Sequence, residues 1–166
     1  MNKHQRKFSK IYNRYADSIY RFIYVKVSSK ETAEDLTSEV FLKTWRVFHL
    51  EEKQIKSPRA FLYASARNLV IDHYRAEGRT QVVSIEDSEV EIEDTVQSLE
   101  KTEVDRSELA TIQKALAKIK PEYQDIIILK HIEELSNREI AKILGKKPGN
   151  VRVLLHRAME QLKKQL

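Results

Sequence analysis

Asn150, Arg152, Val153, His156, Arg157 and Gln161 are spaced to share one side of a helix. Amide, imidazole and guanidinium groups can hydrogen-bond to base edges, a valine can meet a base methyl group, and arginines can hold phosphates. A second such set lies earlier in the chain, where Arg59, Tyr63, Arg67, Asn68, Asp72, His73, Arg75 and Arg79 share the outer surface of one segment. Arginine, asparagine and tyrosine together fit nucleic-acid contact better than an interspersed Lys/Glu surface would. Catalytic chemistry is poorly supplied. The histidines at 4, 49, 73, 131 and 156 show no metal-ligand spacing, and there is no cysteine. No glycine-rich phosphate loop or nucleophile–base motif appears, so no catalytic residue, metal or cofactor is expected.

The elements that must position these residues follow from caps and periodicity. Ser136 and Glu139 form a capping box, Ile140, Ala141 and Leu144 give an apolar face, and Gly145 stops the helix. Pro148 suits the first turn of the next helix, whose buried stripe is expected at Val151, Leu155, Ala158 and Leu162. A short helix, a glycine turn and a longer helix describe a helix-turn-helix, although an ordinary helical hairpin with a solvated face shares the pattern. Leu109, Ile112, Leu116 and Ile119, then Tyr123, Ile126, Ile127 and Leu129, predict two further helices ahead of it.

In the first part of the chain, Ile11, Tyr15, Ile19, Phe22 and Val25 predict one helix over Phe8 to Val27, with Lys10, Arg14, Arg21 and Lys26 on other faces. Tyr12, Tyr15, Tyr20, Phe22 and Tyr24 read as core packing rather than as base-stacking groups. Ser28 and Glu31 suggest a capping box opening a helix from about Ser29 to Phe48, with Ala33, Leu36, Val40, Phe41, Thr44 and Phe48 inward. Glu34, Asp35, Ser38 and Glu39 form an outer strip that suits the helix dipole or a basic docking partner. His49 to Ser57 reads as a loop. Ser57-Pro58 restarts a helix whose buried side is Phe61, Leu62, Ser65, Leu69 and Ile71.

Charge divides the chain. Residues 1–80 hold 16 Lys/Arg against 9 Asp/Glu, residues 81–110 hold 2 against 10, and residues 111–166 hold 12 against 6. Basic lobes flanking an acidic joint are the footprint of a polyanion partner. With three glycines, three prolines and no apolar run of about 18 residues, the expectation is an all-α, intracellular protein with no membrane insertion. It comprises two small helical domains, 1–80 and 109–166, joined by an acidic flexible linker over 81–108. The C-terminal domain contains the helix-turn-helix.

These ordered motifs resemble the bacterial RNA polymerase sigma factors of the extracytoplasmic-function group, over nearly the whole chain. Ala33 to Trp45 resembles the polymerase-binding segment of that family. Ser57 to Tyr63 and Ala66 to Arg75 resemble its segment for the downstream promoter element, and Leu135 to Leu162 its helix-turn-helix for the upstream element. The resemblance implies polymerase docking by Asp35, Ser38, Glu39, Phe41 and Trp45, the two aromatics as packing support. It implies capture of a flipped base by the loop His49–Lys56, including His49, Lys53 and Lys56, and contact with the melted strand by Tyr63, Arg67, Asn68, Asp72 and Arg75. It assigns the upstream element to Asn150, Arg152, Val153, His156 and Arg157. The implied partners are core RNA polymerase (its clamp helices and flap), double- and single-stranded promoter DNA and an anti-sigma factor. No small-molecule substrate is implied, and the location is cytoplasmic. Four positions depart from the family pattern: Ser38 for glutamine, Phe61 for tryptophan, Lys147 for a capping serine, and Leu154 for a basic or polar promoter-facing residue. A two-lobe regulator that binds DNA without directing initiation is the rival reading.

Overall fold

A computed structural model describes residues 2–50, 55–78 and 106–166, and among them every regular element is helical. Residues 81–105 of the predicted 81–108 linker and the residue Lys53 lie outside the described residues, while 106–108 belong to a helix that starts three residues earlier than expected. The first lobe is α1 (Lys3–Val27), α2 (Lys30–Trp45) with a π-helical turn at Arg46–Leu50, and α3 (Pro58–Ala76). The second is α4 (Arg106–Leu116), α5 (Pro121–Ile127) continued by a π-helical turn at Ile128–Ile132, α6 (Asn137–Leu144) and α7 (Pro148–Gln165).

In the first lobe α1, α2 and α3 all pack on one another. Ile19, Phe22 and Ile23 of α1 meet Ala33, Leu36 and Val40 of α2 and Leu62, Ala66 and Val70 of α3 in the core. The α1–α2 junction is tighter than the capping pattern predicts. Ser28 does not open α2; it closes α1 in the left-handed conformation at φ 54°, and Ser29 caps α2 by accepting from the Thr32 backbone N–H. Ser28 is buried, and its hydroxyl accepts a hydrogen bond from Gln113 Nε2 at 2.9 Å. The side-chain bond is one reason a serine is held where glycine is the commoner residue. The predicted loop after α2 begins as helix, because Arg46–Leu50 extend α2 by a π-helical turn that buries Phe48.

The second lobe is built around α7, against which α4, α5 and α6 pack. The capping box of Ser136 and Glu139 is present, and Gly145 ends α6 in the left-handed conformation. Lys147 makes no side-chain cap on α7. The buried stripe of α7 is Val151, Leu154, Ala158 and Leu162, so Leu154 belongs to the core and Leu155 is only half-buried, the reverse of the sequence expectation. Spacings of three and four both keep a residue near one helical face, and Leu154 shares a cleft with Glu122 and Tyr123 of α5.

The two lobes touch. α6 lies against α3, α4 and the second π-turn lie against α1, and the buried apolar residues of both lobes form one cluster.

Candidate functional site

The helix-turn-helix presents its polar face outward. Asn150, Arg152, Val153, His156 and Arg157 are all exposed, while the opposite stripe of α7 is buried. Val153 is 51% exposed, an apolar side chain among cations and amides whose methyl groups can meet a thymine methyl. Leu154 lies in the core, so its departure from the family pattern removes no outward group.

In the first lobe Asp35, Ser38 and Glu39 stand exposed on α2. Phe41 is buried and Trp45 half-buried, as expected of packing residues. The α1 residues Phe8 and Tyr12 extend this surface in a way the sequence reading missed. Phe8 packs edge-on to Trp45 with ring centroids 5.3 Å apart, and Tyr12 to Phe41 at 4.9 Å. With Ser38 and Leu42 these rings line an open apolar groove of about 690 Å³. The i, i+4 spacing of Phe8 and Tyr12 was the available signal. His49 is exposed and stacks on Trp45, the rings 4.5 Å apart and 14° from parallel, which holds a flat aromatic surface at the end of α2.

The residues expected along the melted strand divide into two groups. Lys56, Asn68, Asp72 and Arg75 are exposed. Tyr63 is not on the outer surface as expected: it is buried, packs edge-on to Phe22 at 5.4 Å, and donates its hydroxyl to Glu133 Oε1 at 2.7 Å. Arg67 donates to Asp125 Oδ2 at 2.9 Å. Arg59 pairs with Glu139 and lies over the Tyr15 ring, 5.7 Å from its centroid.

Two α1 cations expected on faces away from the apolar stripe are likewise engaged. Lys26 is buried against Asp125, and Arg21 Nε meets Glu133 Oε2 at 2.6 Å. Asp125 therefore holds Lys26 and Arg67 together, and Glu133 holds Arg21 and Tyr63. Removing one partner of such a buried pair leaves an uncompensated charge, at a cost of about 3–5 kcal/mol. Burial pushes the Glu133 carboxyl above its ordinary value, against the opposing pull of Arg21 and of the Tyr63 hydroxyl. Burial, followed by the Glu133 charge, pushes the Tyr63 phenol far up, so it stays a protonated donor. At the rim, the backbone hydrogen bond of the Ser136 capping box holds Glu139 below the usual carboxylate range.

No described helix is long and apolar enough to cross a membrane.

The Sigma-70 region 2 family matches residues 11–80, and Sigma-70, region 4 matches residues 109–162. The chain is 32% identical over 155 residues to the ECF RNA polymerase sigma factor BldN of Streptomyces coelicolor. That match covers 93% of this chain and 58% of BldN, so the chain spans well under two thirds of that relative. It is 33% identical to the ECF RNA polymerase sigma factor SigW of Bacillus subtilis, covering 98% of this chain and 90% of SigW. Among solved structures it shares its fold with the sigma factor RpoE of Bartonella quintana, determined with the anti-sigma factor NepR. That likeness has a TM-score of 0.67 and 20% identity, and it covers 96% of each chain. With both sigma-70 regions in order, an exposed helix-turn-helix face and these relatives, the chain belongs to the extracytoplasmic-function (ECF) family of RNA polymerase sigma factors.

Proposed function

We propose that the chain acts as an alternative sigma factor that binds core RNA polymerase, reads promoters through both lobes and opens the duplex without covalent chemistry. Sigma factors are not a family of catalysts, and the mechanism needs only binding energy. The observation that carries the reading is the exposed face of α7, set by a capping box, a left-handed Gly145 and a fully apolar opposite stripe.

Asp35, Ser38 and Glu39 offer an acidic docking strip to the polymerase clamp helices, with Phe41 and Trp45 beneath it. The second lobe docks near the polymerase flap and lays α7 in the major groove of the upstream element, where Asn150, Arg152, Val153, His156 and Arg157 face the bases and phosphates. Unstacking bases costs energy, and capture of a flipped base by the segment from His49 to Lys56, Lys53 included, offsets up to a few kcal/mol of it. Arg67 and Arg75 then hold the melted strand by cationic and stacking contacts, and Asn68 and Asp72 offer hydrogen bonds to its exposed base edges. An anti-sigma factor is a further partner, as for the RpoE structure that shares this fold.

Run-off transcription with purified core polymerase on a genomic promoter library tests the reading. New start sites are expected, and they should weaken with Asp35→Ala/Glu39→Ala. Salt-sensitive duplex binding with no initiation would favour a DNA-binding regulator instead.

A further inference from the structure

Arg59, Tyr63 and Arg67 are spaced by four residues and form a single stripe on α3. Every member of that stripe is held by a carboxylate of the second lobe: Glu139, Glu133 and Asp125 respectively. Two of these carboxylates, Glu133 and Asp125, also hold Arg21 and Lys26 of α1. A carboxylate and a phosphate offer arginine the same paired anionic oxygens, so a nucleic-acid strand and the second lobe compete for this stripe. The neighbouring stripe of Asn68, Asp72 and Arg75 stays exposed, which leaves a strand only part of its contact surface. The duplex-facing side of α7 is engaged by none of these contacts, and all five of its candidate residues remain exposed.

We propose that Asp125, Glu133 and Glu139 form an intramolecular latch, giving a closed chain that can bind duplex DNA but withholds the strand-binding stripe of α3. The proposal rests on the sigma-factor reading of the two faces and adds an order to their use: duplex contact first, strand capture only after the lobes part. A ligand that needs the open form binds more weakly by the fraction of chains that are open.

The chain has no cysteine, so Arg59→Cys and Glu139→Cys together place a unique thiol pair across the latch at partly exposed positions. The full-length double variant, joined by a reducible bifunctional thiol reagent, is compared with its reduced form on two labelled probes: a random-sequence single strand and the corresponding duplex. The cross-linked chain should bind the single strand at least about tenfold more weakly while duplex affinity changes less than about twofold, and reduction should restore the difference. Equal single-strand affinity in both forms overturns the latch, as does a parallel loss on both probes. If neither form binds duplex, the reading of α7 fails while the single-strand comparison still decides the latch.

A measurement without DNA covers the case in which the thiol pair folds poorly. A dye pair spanning the lobes should report separation in Arg59→Glu and in Glu139→Arg, and renewed closure when both reversals are combined. Separations that merely add in the combined variant would refute the contact.

Discussion

Glu133 shows how one residue reports on the junction it occupies. Its side chain is 1% exposed, and burial raises its pKa above the ordinary 4.5 even with Arg21 beside it. A carboxyl with a raised native pKa favours the folded chain on the acid side of that pKa, and the contribution is lost as pH rises from the unfolded value through the native one. Glu133→Gln keeps an acceptor for Tyr63 and removes the titration, so its stability should vary less with pH just above 4.5 than that of the parent, in urea melts run across that range. Arg152 is a different case, exposed and paired with no acid among the described residues. If it reads a base, Arg152→Ala should cost about 1–3 kcal/mol of binding at one promoter position. A uniform loss across promoter variants, measured by competition binding, would make it a phosphate contact. Tyr63 marks the boundary of what single residues disclose. Its place among polar neighbours on α3 suggested an outer surface, but packing on Phe22 of α1 and the arrival of Glu133, 70 positions later, account for its burial.

Helix existence and type were legible from caps and periods, because these are local properties. Ser136, Glu139 and Gly145 behave as their types require. Gly145 sits at φ 65° with open space around its missing side chain, so Gly145→Ala should cost about 1–2 kcal/mol through backbone strain alone. Lys147 leaves the start of α7 without a side-chain cap, and Lys147→Ser should therefore stabilise the second lobe by about 1 kcal/mol, seen as a higher denaturant midpoint. Misreadings fell where two adjacent residues satisfy the same local rule. Ser28 and Ser29 both can cap, and Leu154 and Leu155 both fit a stripe; in each case packing from another element makes the choice. Lys26, expected on a face away from the apolar stripe, is buried for a different reason, because its partner Asp125 lies in the other lobe.

At the scale of the molecule, the described residues form two helical lobes whose junction pairs first-lobe cations with second-lobe acids. That pattern was half visible as a charge asymmetry along the chain, but the sequence does not say which acids meet which cations, and the closed placement was not foreseen. The junction also has a consequence for ionic strength. Added salt screens the pairs at its rim, Arg59 with Glu139 above all, and so favours parting of the lobes. The same salt weakens any nucleic acid's hold on the freed cations. The two effects oppose each other, so the single-strand affinity of the parent chain should fall with salt along a shallower line than that of Glu139→Gln. A dilute electrolyte, ordinarily the condition of tightest polyanion binding, is for this chain also the condition in which its own carboxylates compete best.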